Sequence, residues 1–141
     1  KYADAVGNSS NVAANVKAFT DYLFLLAEFE VQGTRYYANQ YEQNYQKQYA
    51  YYSSGNSRVM YRHNATGSAA WWWLRSAYYN NNNNFCNVNT GGGNNNNNAY
   101  YSAALLPGFY RYTVKWSSQA VKDDRCKRRD TSQGETPETA L

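Results

Sequence analysis

The chain contains a single histidine, His63, and two cysteines, Cys86 and Cys126. A thiolate activated by an imidazole is a nucleophile, and two such side chains can meet in space whatever their separation along the chain. Cys86, however, falls on the apolar side of an alternating segment, and His63 follows Arg62 in a polar turn. These positions favour a small buried cysteine over a catalytic one. A disulfide between Cys86 and Cys126 stays open as the less favoured alternative.

Acidic residues are missing from most of the chain, since none occurs between Gln43 and Val121. Calcium sites need several carboxylate oxygens, and zinc sites need clustered histidines and cysteines. A glycosidase needs two carboxylates, which would have to come from residues near a predicted core strand: Asp21, Glu28, Glu30 and Glu42. The sequence Gly91-Gly92-Gly93 lacks the context of a phosphate-binding loop. We therefore predict that the protein is not an enzyme and holds no metal or cofactor.

The composition points to a binding surface. The 141 residues fit one domain, and the chain carries 16 tyrosines and four tryptophans. Tyrosine and tryptophan combine a stiff apolar ring with a polar tip, which suits either recognition or an unusually polar core. The net charge is +4, but the basic residues of the body are scattered, so nucleic acid is not the expected partner. No apolar run is long enough for a membrane span.

Helices are expected in the first part of the chain. Apolar residues at helical spacing predict a short helix between residues 8 and 20, and YLFLL (22–26) predicts a buried strand before a segment that ends at Gly33. A second helix is predicted from Asn39 as N-cap, with Glu42 in a capping box, to Gly55. Its predicted face is a tyrosine stripe, typical of core packing: Tyr41, Tyr45, Tyr49 and Tyr52.

Strands are expected after Gly55. Alternating residues predict strands over 57–62, 85–89 and 109–116, and the continuous run 71–75 predicts a central strand. Thr90-Gly91-Gly92-Gly93 supplies a turn, and Pro107 should begin a strand or lie at an irregular edge. The polar, mixed-charge residues 117–141 read as a tail or linker. This order of elements predicts an α+β domain with a twisted, mainly antiparallel sheet.

Two runs of five asparagines, 80–84 and 94–98, are the most unusual feature. Asparagine is a poor helix and strand former because its side chain competes for nearby backbone groups. A disordered or aggregating low-complexity tract is one interpretation. The runs are interrupted by Phe85, Cys86 and Val88, however, so we favour fixed apolar positions interleaved with freely varied polar ones. Substituting the adenines of an AAC or AAT codon yields Tyr, Ser, Gly and Ala, the residues that accompany the asparagines, and never a stop codon.

The segment YRHNATGSAAWWWLRSAYYNNNNNFCNVNTGGGNNNNNAYYSAALLPGFY (61–110) resembles the variable region of proteins diversified by retroelements. YLFLLAEFEVQG (22–33) and QYAYYSSGNSRVMYRH (48–63) resemble the invariant part of phage-associated members. The resemblance implies a C-type lectin fold of the formylglycine-generating-enzyme-like subclass, with two short helices on the sheet and long surface loops. The resemblance covers about residues 20–112. Together with the residue pattern, it divides the chain into a lead-in with a short helix (1–19), a ligand-binding domain (20–116, variable over about 71–110) and the tail (117–141).

The resemblance also separates scaffold from diversified positions. The implied scaffold is Trp72, Trp73, Leu74, Arg75, Phe85, Cys86, Val88, Pro107, Gly108 and Phe109. The implied diversified, ligand-binding residues are Trp71, Tyr78, Tyr79, Asn80, Asn81, Asn82, Asn83, Asn84, Asn87, Asn89, Asn94, Asn95, Asn96, Asn97, Asn98, Tyr100, Tyr101 and Ala103. We call this second set the variable set.

Three functions are compatible with this interpretation. The favoured one is a diversified domain on a virion or a bacterial cell surface that binds a protein or glycan receptor on a host or neighbouring cell, with homo-oligomers as an option. The second is a structural virion or surface domain of the same fold without diversification. The third is a formylglycine-generating-type enzyme, which would need a reactive cysteine in a pocket.

Overall fold

Strands dominate the part of the chain described by the structure, a computed structural model covering residues 1–4, 11–63 and 67–109. The strands are β1 (Tyr2–Asp4), β2 (Val16–Ala18), β3 (Leu23–Leu25), β4 (Met60–Tyr61), β5 (Ala69–Ala70), β6 (Trp72–Ala77), β7 (Asn84–Val88), β8 (Asn94–Asn98), β9 (Ala104–Leu105) and β10 (Pro107–Phe109). The helices are α1 (Glu28–Gln32) and α2 (Ala50–Ser53), with 3₁₀ helices at Ala13–Asn15 and Gln40–Tyr45. Short helices beside mostly antiparallel strands confirm a small α+β protein.

The main sheet has four strands in the order β8-β7-β6-β9. β6 is central, pairing antiparallel with β7 and parallel with β9, which confirms the central strand predicted from the tryptophan run. β7 pairs antiparallel with β8, and β8 forms one edge of the sheet. Three two-stranded antiparallel pairs complete the strands: β1 with β2, β3 with β10, and β4 with β5.

The core lies against one face of β6 and β7. Trp72, Leu74, Cys86 and Val88 are buried there at 0–1% exposure, together with Val31 of α1. The period-two alternation of a strand places these side chains on one face, as the sequence predicted for Cys86 and Val88. The indole N–H of Trp72 donates to the Arg58 carbonyl oxygen at 3.0 Å, so this large ring is buried without an unpaired donor. The burial of Cys86 confirms it as a small core residue.

The predicted helix at residues 8–20 is wrong over the described part, 11–20. Only the 3₁₀ helix Ala13–Asn15 forms there, and the chain continues as β2, which pairs with β1. Val12 is 42% exposed, so it does not contribute to a buried helical face. The strand pairing of Val16 with Asp4 supplies the main-chain partners that a helix would otherwise provide, and it depends on a contact distant in sequence.

The predicted helix from Asn39 to Gly55 is broken into the second 3₁₀ helix and α2. The Asn39 cap is confirmed, since its Oδ1 accepts from the Tyr41 N–H at 3.0 Å. Glu42 does not form the predicted capping box, because its carboxylate turns inward and accepts from the Asp4 N–H at 2.8 Å. The tyrosine stripe is split as well: Tyr52 is buried, whereas Tyr45 is 55% exposed.

The YLFLL strand is confirmed as β3, but it is not buried, because Leu23 is 64% exposed. Gly33 ends the next segment as expected, with a φ of 73° at the C-cap of α1. β10 begins at Pro107, in agreement with the prediction for that proline. The rest of the predicted strand 109–116, the tail and Cys126 lie outside the described residues.

Candidate binding surface

The hairpin of β7 and β8 carries much of the variable set. Asn87 pairs with Asn95 and Phe85 with Asn97, so these four residues share one face of the sheet. The alternate pairs, Asn84 with Asn98, Cys86 with Asn96 and Val88 with Asn94, share the other face. The second asparagine run is therefore a complete strand whose side chains alternate between both faces, and all five are half-buried.

The turn between the two strands is organised by Asn89. Its Oδ1 accepts from the N–H groups of Gly91 at 2.9 Å and Gly93 at 3.0 Å. The Gly92 N–H donates to the Asn89 carbonyl oxygen at 2.9 Å, and Gly92 has a φ of 86° that favours glycine. The predicted glycine turn is confirmed. The half-buried Asn89 side chain stabilises it by accepting hydrogen bonds from the turn's own backbone.

The first asparagine run forms the turn that enters β7. Asn81 Oδ1 accepts from the Asn83 N–H at 2.7 Å, an Asx turn. The Asn83 carbonyl oxygen accepts from the Ala99 N–H at 2.8 Å, which joins the end of the first run to the end of the second. A side-chain bond from Asn84 Nδ2 to Asn96 Oδ1, 2.7 Å long, links the runs across the strands. The two runs therefore form one continuous surface.

Aromatic residues flank this surface on two loops. Tyr78 and Tyr79 lie before the first run, with ring centroids 5.6 Å apart, and the Arg35 guanidinium lies 4.6 Å from the Tyr79 centroid. Tyr100 and Tyr101 follow β8 and are 77% and 49% exposed. Such exposed tyrosines are available as rigid contact groups.

Trp71 and Ala103 meet at the other side of the sheet. The Ala104 N–H donates to the Trp71 carbonyl oxygen at 3.1 Å, and the Trp71 and Trp73 rings pack edge to face at 4.9 Å. A cavity of about 290 Å³ opens beside them, lined by Arg62, Ala70, Trp71, Ser102, Ala103 and Ala104. Two members of the variable set thus share one concave site with Arg62, which the sequence did not indicate as a site residue.

Asn87 departs from the expectation of an exposed position. Its side chain is fully buried, and both Oδ1 and Nδ2 lack a hydrogen-bond partner among the described residues. The reason lies in the register, which places Asn87 between Trp73 of β6 and Asn95 of β8 on the same face. A ligand reaches Asn87 in this conformation only if a neighbouring side chain moves.

Phe85 and Phe109 depart from the expectation for scaffold residues, since they are 39% and 73% exposed. Phe85 lies on the sheet face opposite Cys86, where its side chain is exposed. Phe109 pairs with Leu23 at the end of β10, and both side chains are exposed there. The buried scaffold is consequently narrower than the resemblance implied.

Buried carboxylates hold the sheet to the rest of the domain, and sequence reasoning missed them. Glu28, fully buried, accepts hydrogen bonds from the N–H groups of Tyr36, Tyr37 and Ala38 at 2.9–3.0 Å. Its own N–H donates to Ser76 Oγ of β6 at 3.1 Å. One side chain therefore fixes the loop after α1, and Ala38 of that loop forms an isolated bridge with Tyr78.

Arg75 of β6 forms a bidentate ion pair with another buried carboxylate, that of Glu30. Its guanidinium binds both oxygens of Glu30, at 2.6 and 2.8 Å, and donates to the carbonyl oxygens of Tyr2 and Leu25. Burial raises the pKa of Glu30, but the hydrogen bonds and charge of Arg75 outweigh burial and hold that pKa below its usual value. A bidentate pair of this kind fixes both orientation and distance.

Glu42 has the opposite balance. Its carboxylate accepts from Ser76 Oγ at 2.7 Å, from the Asp4 N–H and from Gln46 Nε2. Burial nevertheless raises the pKa of Glu42, because three neutral donors do not compensate the loss of water. Ser76 thus links the Glu28 and Glu42 segments to the central strand.

A family model for a domain of unknown function (DUF6273) matches residues 3–110, which include the main sheet and all of the variable set. The chain belongs to this family. Comparisons with curated proteins and with solved structures gave no match.

The chemistry of Cys86 in this DUF6273 domain follows from its burial. Burial raises the pKa of the Cys86 thiol well above its usual value, and the nearby charges of Glu28 and Glu42 act in the same direction. A thiolate is therefore disfavoured at this position. His63, by contrast, is exposed.

The described ranges, 1–4, 11–63 and 67–109, contain neither a cluster of metal-ligating side chains nor a membrane-spanning helix. No three or more histidine, cysteine, aspartate or glutamate side chains are grouped there so that they could hold a metal ion. No helix in these ranges is both long enough and apolar enough to cross a membrane.

Proposed function

We propose that this DUF6273 domain is a diversified ligand-binding domain that presents the variable set on a fixed scaffold. The proposed fold is that of C-type lectins, in the formylglycine-generating-enzyme-like subclass. The proposed role is recognition of a protein or glycan receptor, from a phage tail or another virion structure, or from a bacterial cell surface.

One observation carries the proposal. Every residue of the variable set except Asn87 is at least partly exposed, whereas the apolar residues between them, Trp72, Leu74, Cys86 and Val88, are buried. This division supports a sequence in which some positions are held by packing and their neighbours are free to change. Loops and strand faces on a rigid scaffold are where proteins place variable contacts.

The residue types of the variable set suit recognition. Tyr100 and Tyr101 offer large rings with few rotatable bonds, and the asparagine amides both donate and accept hydrogen bonds. The surface of the two runs has few apolar groups, so affinity would depend on a small number of aromatic anchors. We propose that the asparagines are close to the undiversified state from which other binding surfaces are made.

The test is at the level of the gene. We expect AAC or AAT codons throughout both asparagine runs, and a near-copy of the segment encoding residues 71–110 that differs at adenines, beside a reverse-transcriptase gene. A flanking region with neither the near-copy nor the reverse transcriptase would refute diversification.

In that case the second function, a structural virion or surface domain, takes precedence. The structural function is favoured by the pairing of β8 with β7, because an asparagine run that forms a regular strand contributes to the fold whether or not it binds a ligand. The two functions differ in their response to substitution. A receptor-binding domain loses binding when exposed members of the variable set change, whereas a structural domain changes only in assembly or stability.

The third function, a formylglycine-generating-type enzyme, is weakened by the buried thiol of Cys86. Titration of the native protein with a thiol reagent tests it directly. We expect slow labelling of Cys86 in the native state and rapid labelling after unfolding in urea. Rapid labelling of Cys86 itself in the folded domain would revive the enzyme.

A further inference from the structure

Among the described residues, β8 has a neighbouring strand on only one of its two main-chain edges. The Asn89 N–H bonds to the Gly93 carbonyl oxygen, and the Ala99 N–H bonds to that of Asn83. In an antiparallel ladder, hydrogen-bonded and non-hydrogen-bonded pairs alternate. Because the pairs 89/93 and 83/99 are hydrogen-bonded, the pairs 87/95 and 85/97 between them are hydrogen-bonded as well. The main-chain groups of Asn95 and Asn97 therefore point toward β7, and those of Asn94, Asn96 and Asn98 point away from the sheet.

The edge of β8 that faces away from β7 lacks the usual features that prevent strands from pairing. No charged residue occurs from Ser76 to Tyr110, and β8 contains no lysine, proline or glycine. Natural edge strands commonly carry such residues, or a bulge, to prevent the addition of another strand. The pairing of β7 with β8 is regular over all five residues, so no bulge deflects this edge.

Asparagine also favours pairing with itself. The bond from Asn84 Nδ2 to Asn96 Oδ1 shows that amides on neighbouring strands reach each other at 2.7 Å. Stacked asparagine side chains form such amide ladders between identical strands. A second strand of asparagines beside β8 would present an amide opposite each amide of the same face.

We propose that β8 is a docking edge for β8 of a second copy of this chain, antiparallel and related by a two-fold axis at Asn96. The arrangement opposes Asn96 to its own counterpart and Asn94 to Asn98, so all outward-pointing main-chain groups find partners. Both copies use the same edge, and the assembly closes as a dimer. It joins two four-stranded sheets into one of eight strands.

Two of the outward groups already have partners within the chain, and the dimer must displace them. The Asn96 N–H donates to Asn95 Oδ1 at 2.9 Å, and the Asn98 carbonyl oxygen accepts from the Tyr101 N–H at 3.1 Å. Both are short-range bonds at a half-exposed strand and can be exchanged for water or a partner at small cost. Because these two bonds must be broken before the strands pair, we expect the dimer to be weak and dependent on concentration. The proposal concerns β8 with the asparagines that this chain carries, and it does not depend on whether the domain binds a receptor.

Sedimentation velocity of the whole chain, at concentrations up to about 1 mM to reach the weak end of specific affinities, tests the proposal. We expect reversible conversion of monomer to dimer. A monomer throughout the range, or larger species without a dimer plateau, would overturn it. Amide NMR spectra across the same dilution series should change at Asn94, Asn96 and Asn98 and stay constant at Asn95 and Asn97.

Asn96→Pro is the decisive variant, because it removes an outward N–H that β7 does not use. We expect a monomer with unchanged circular dichroism. Asn96→Lys provides a second variant if the proline disturbs folding, since two lysines would face each other at the axis. Asn97→Lys is the matched control. It adds the same charge one residue away, but in the proposed dimer this lysine would not face the same lysine of the second copy. A dimer that persists in both Asn96 variants would show that the association uses another surface.

Discussion

Replacing Asn87 with leucine isolates the cost of a buried, unpaired amide. Leucine has the same branching as asparagine and removes both polar groups, which lack partners among the described residues. Each of the two unsatisfied buried groups costs about 1–3 kcal/mol, or about 2–6 kcal/mol together, and the slightly larger leucine costs about 1–3 kcal/mol in packing. We expect Asn87→Leu to increase the free energy of unfolding by about 1–3 kcal/mol, which is the difference between these terms.

Asn97→Leu is the matched control for this experiment. Asn97 lies on the same face as Asn87 but is half-buried, so its amide reaches water. We expect a change within about 0.5 kcal/mol, as for other surface substitutions.

The assay is equilibrium unfolding in urea, followed by the fluorescence of the four tryptophans. The midpoint should rise for Asn87→Leu with an unchanged slope, because the slope reports the surface exposed on unfolding. In a thermal scan, each kcal/mol corresponds to about 4 °C for a domain near this size. If Asn87→Leu destabilises the domain while Asn97→Leu is neutral, the Asn87 amide is paired and the reasoning fails.

Three further predictions concern the surface and the buried charges. Tyr100→Ala with Tyr101→Ala should change the free energy of unfolding by less than about 1 kcal/mol, given their exposure; a larger loss in a thermal scan would make them core residues. Glu42 has a pKa raised above 4.5, so its contribution to stability is present at acidic pH and is lost as pH rises through the folded pKa. Glu42→Gln should therefore flatten the decline in stability between pH 4.5 and neutrality, and an unchanged pH profile would contradict the shift. Arg75→Met removes the bidentate partner of Glu30 and leaves this buried carboxylate with the Lys1 ammonium at 3.7 Å and the Ala27 N–H, so it should cost up to about 3–5 kcal/mol. A second change, Glu30→Leu, should recover part of this loss in a double-mutant cycle, and additive losses would show that the pair is not coupled.

Local signals made the centre of the sheet predictable. The run Trp71-Trp72-Trp73-Leu74 is too continuous to alternate between apolar and polar residues, which indicated a central strand. Cys86 and Val88 alternate with polar residues, and the glycines after Asn89 require a turn. The Asn39 cap is another local interaction, since donor and acceptor are two residues apart.

The parts that were not predictable depend on distant partners. Glu42 breaks the expected helix because it reaches the Asp4 N–H, 38 residues away in sequence. β8 has the weakest strand propensity of any segment, yet it is a strand because β7 offers a free edge and the turn is short. The burial of Asn87 required the register of β6 and β8, which side-chain type alone does not specify.

No member of the variable set carries a formal charge. Under the proposed function, these positions therefore add no long-range attraction toward a receptor, and association without such steering proceeds at about 10⁵–10⁶ M⁻¹ s⁻¹. Changes at these positions act mainly on the dissociation rate, and salt should alter that rate little. A surface that is slow to capture its receptor gains most from display in many copies, because the first contact raises the effective concentration for the next. The residence time of a whole particle would then follow the number of copies engaged more closely than the affinity of any one.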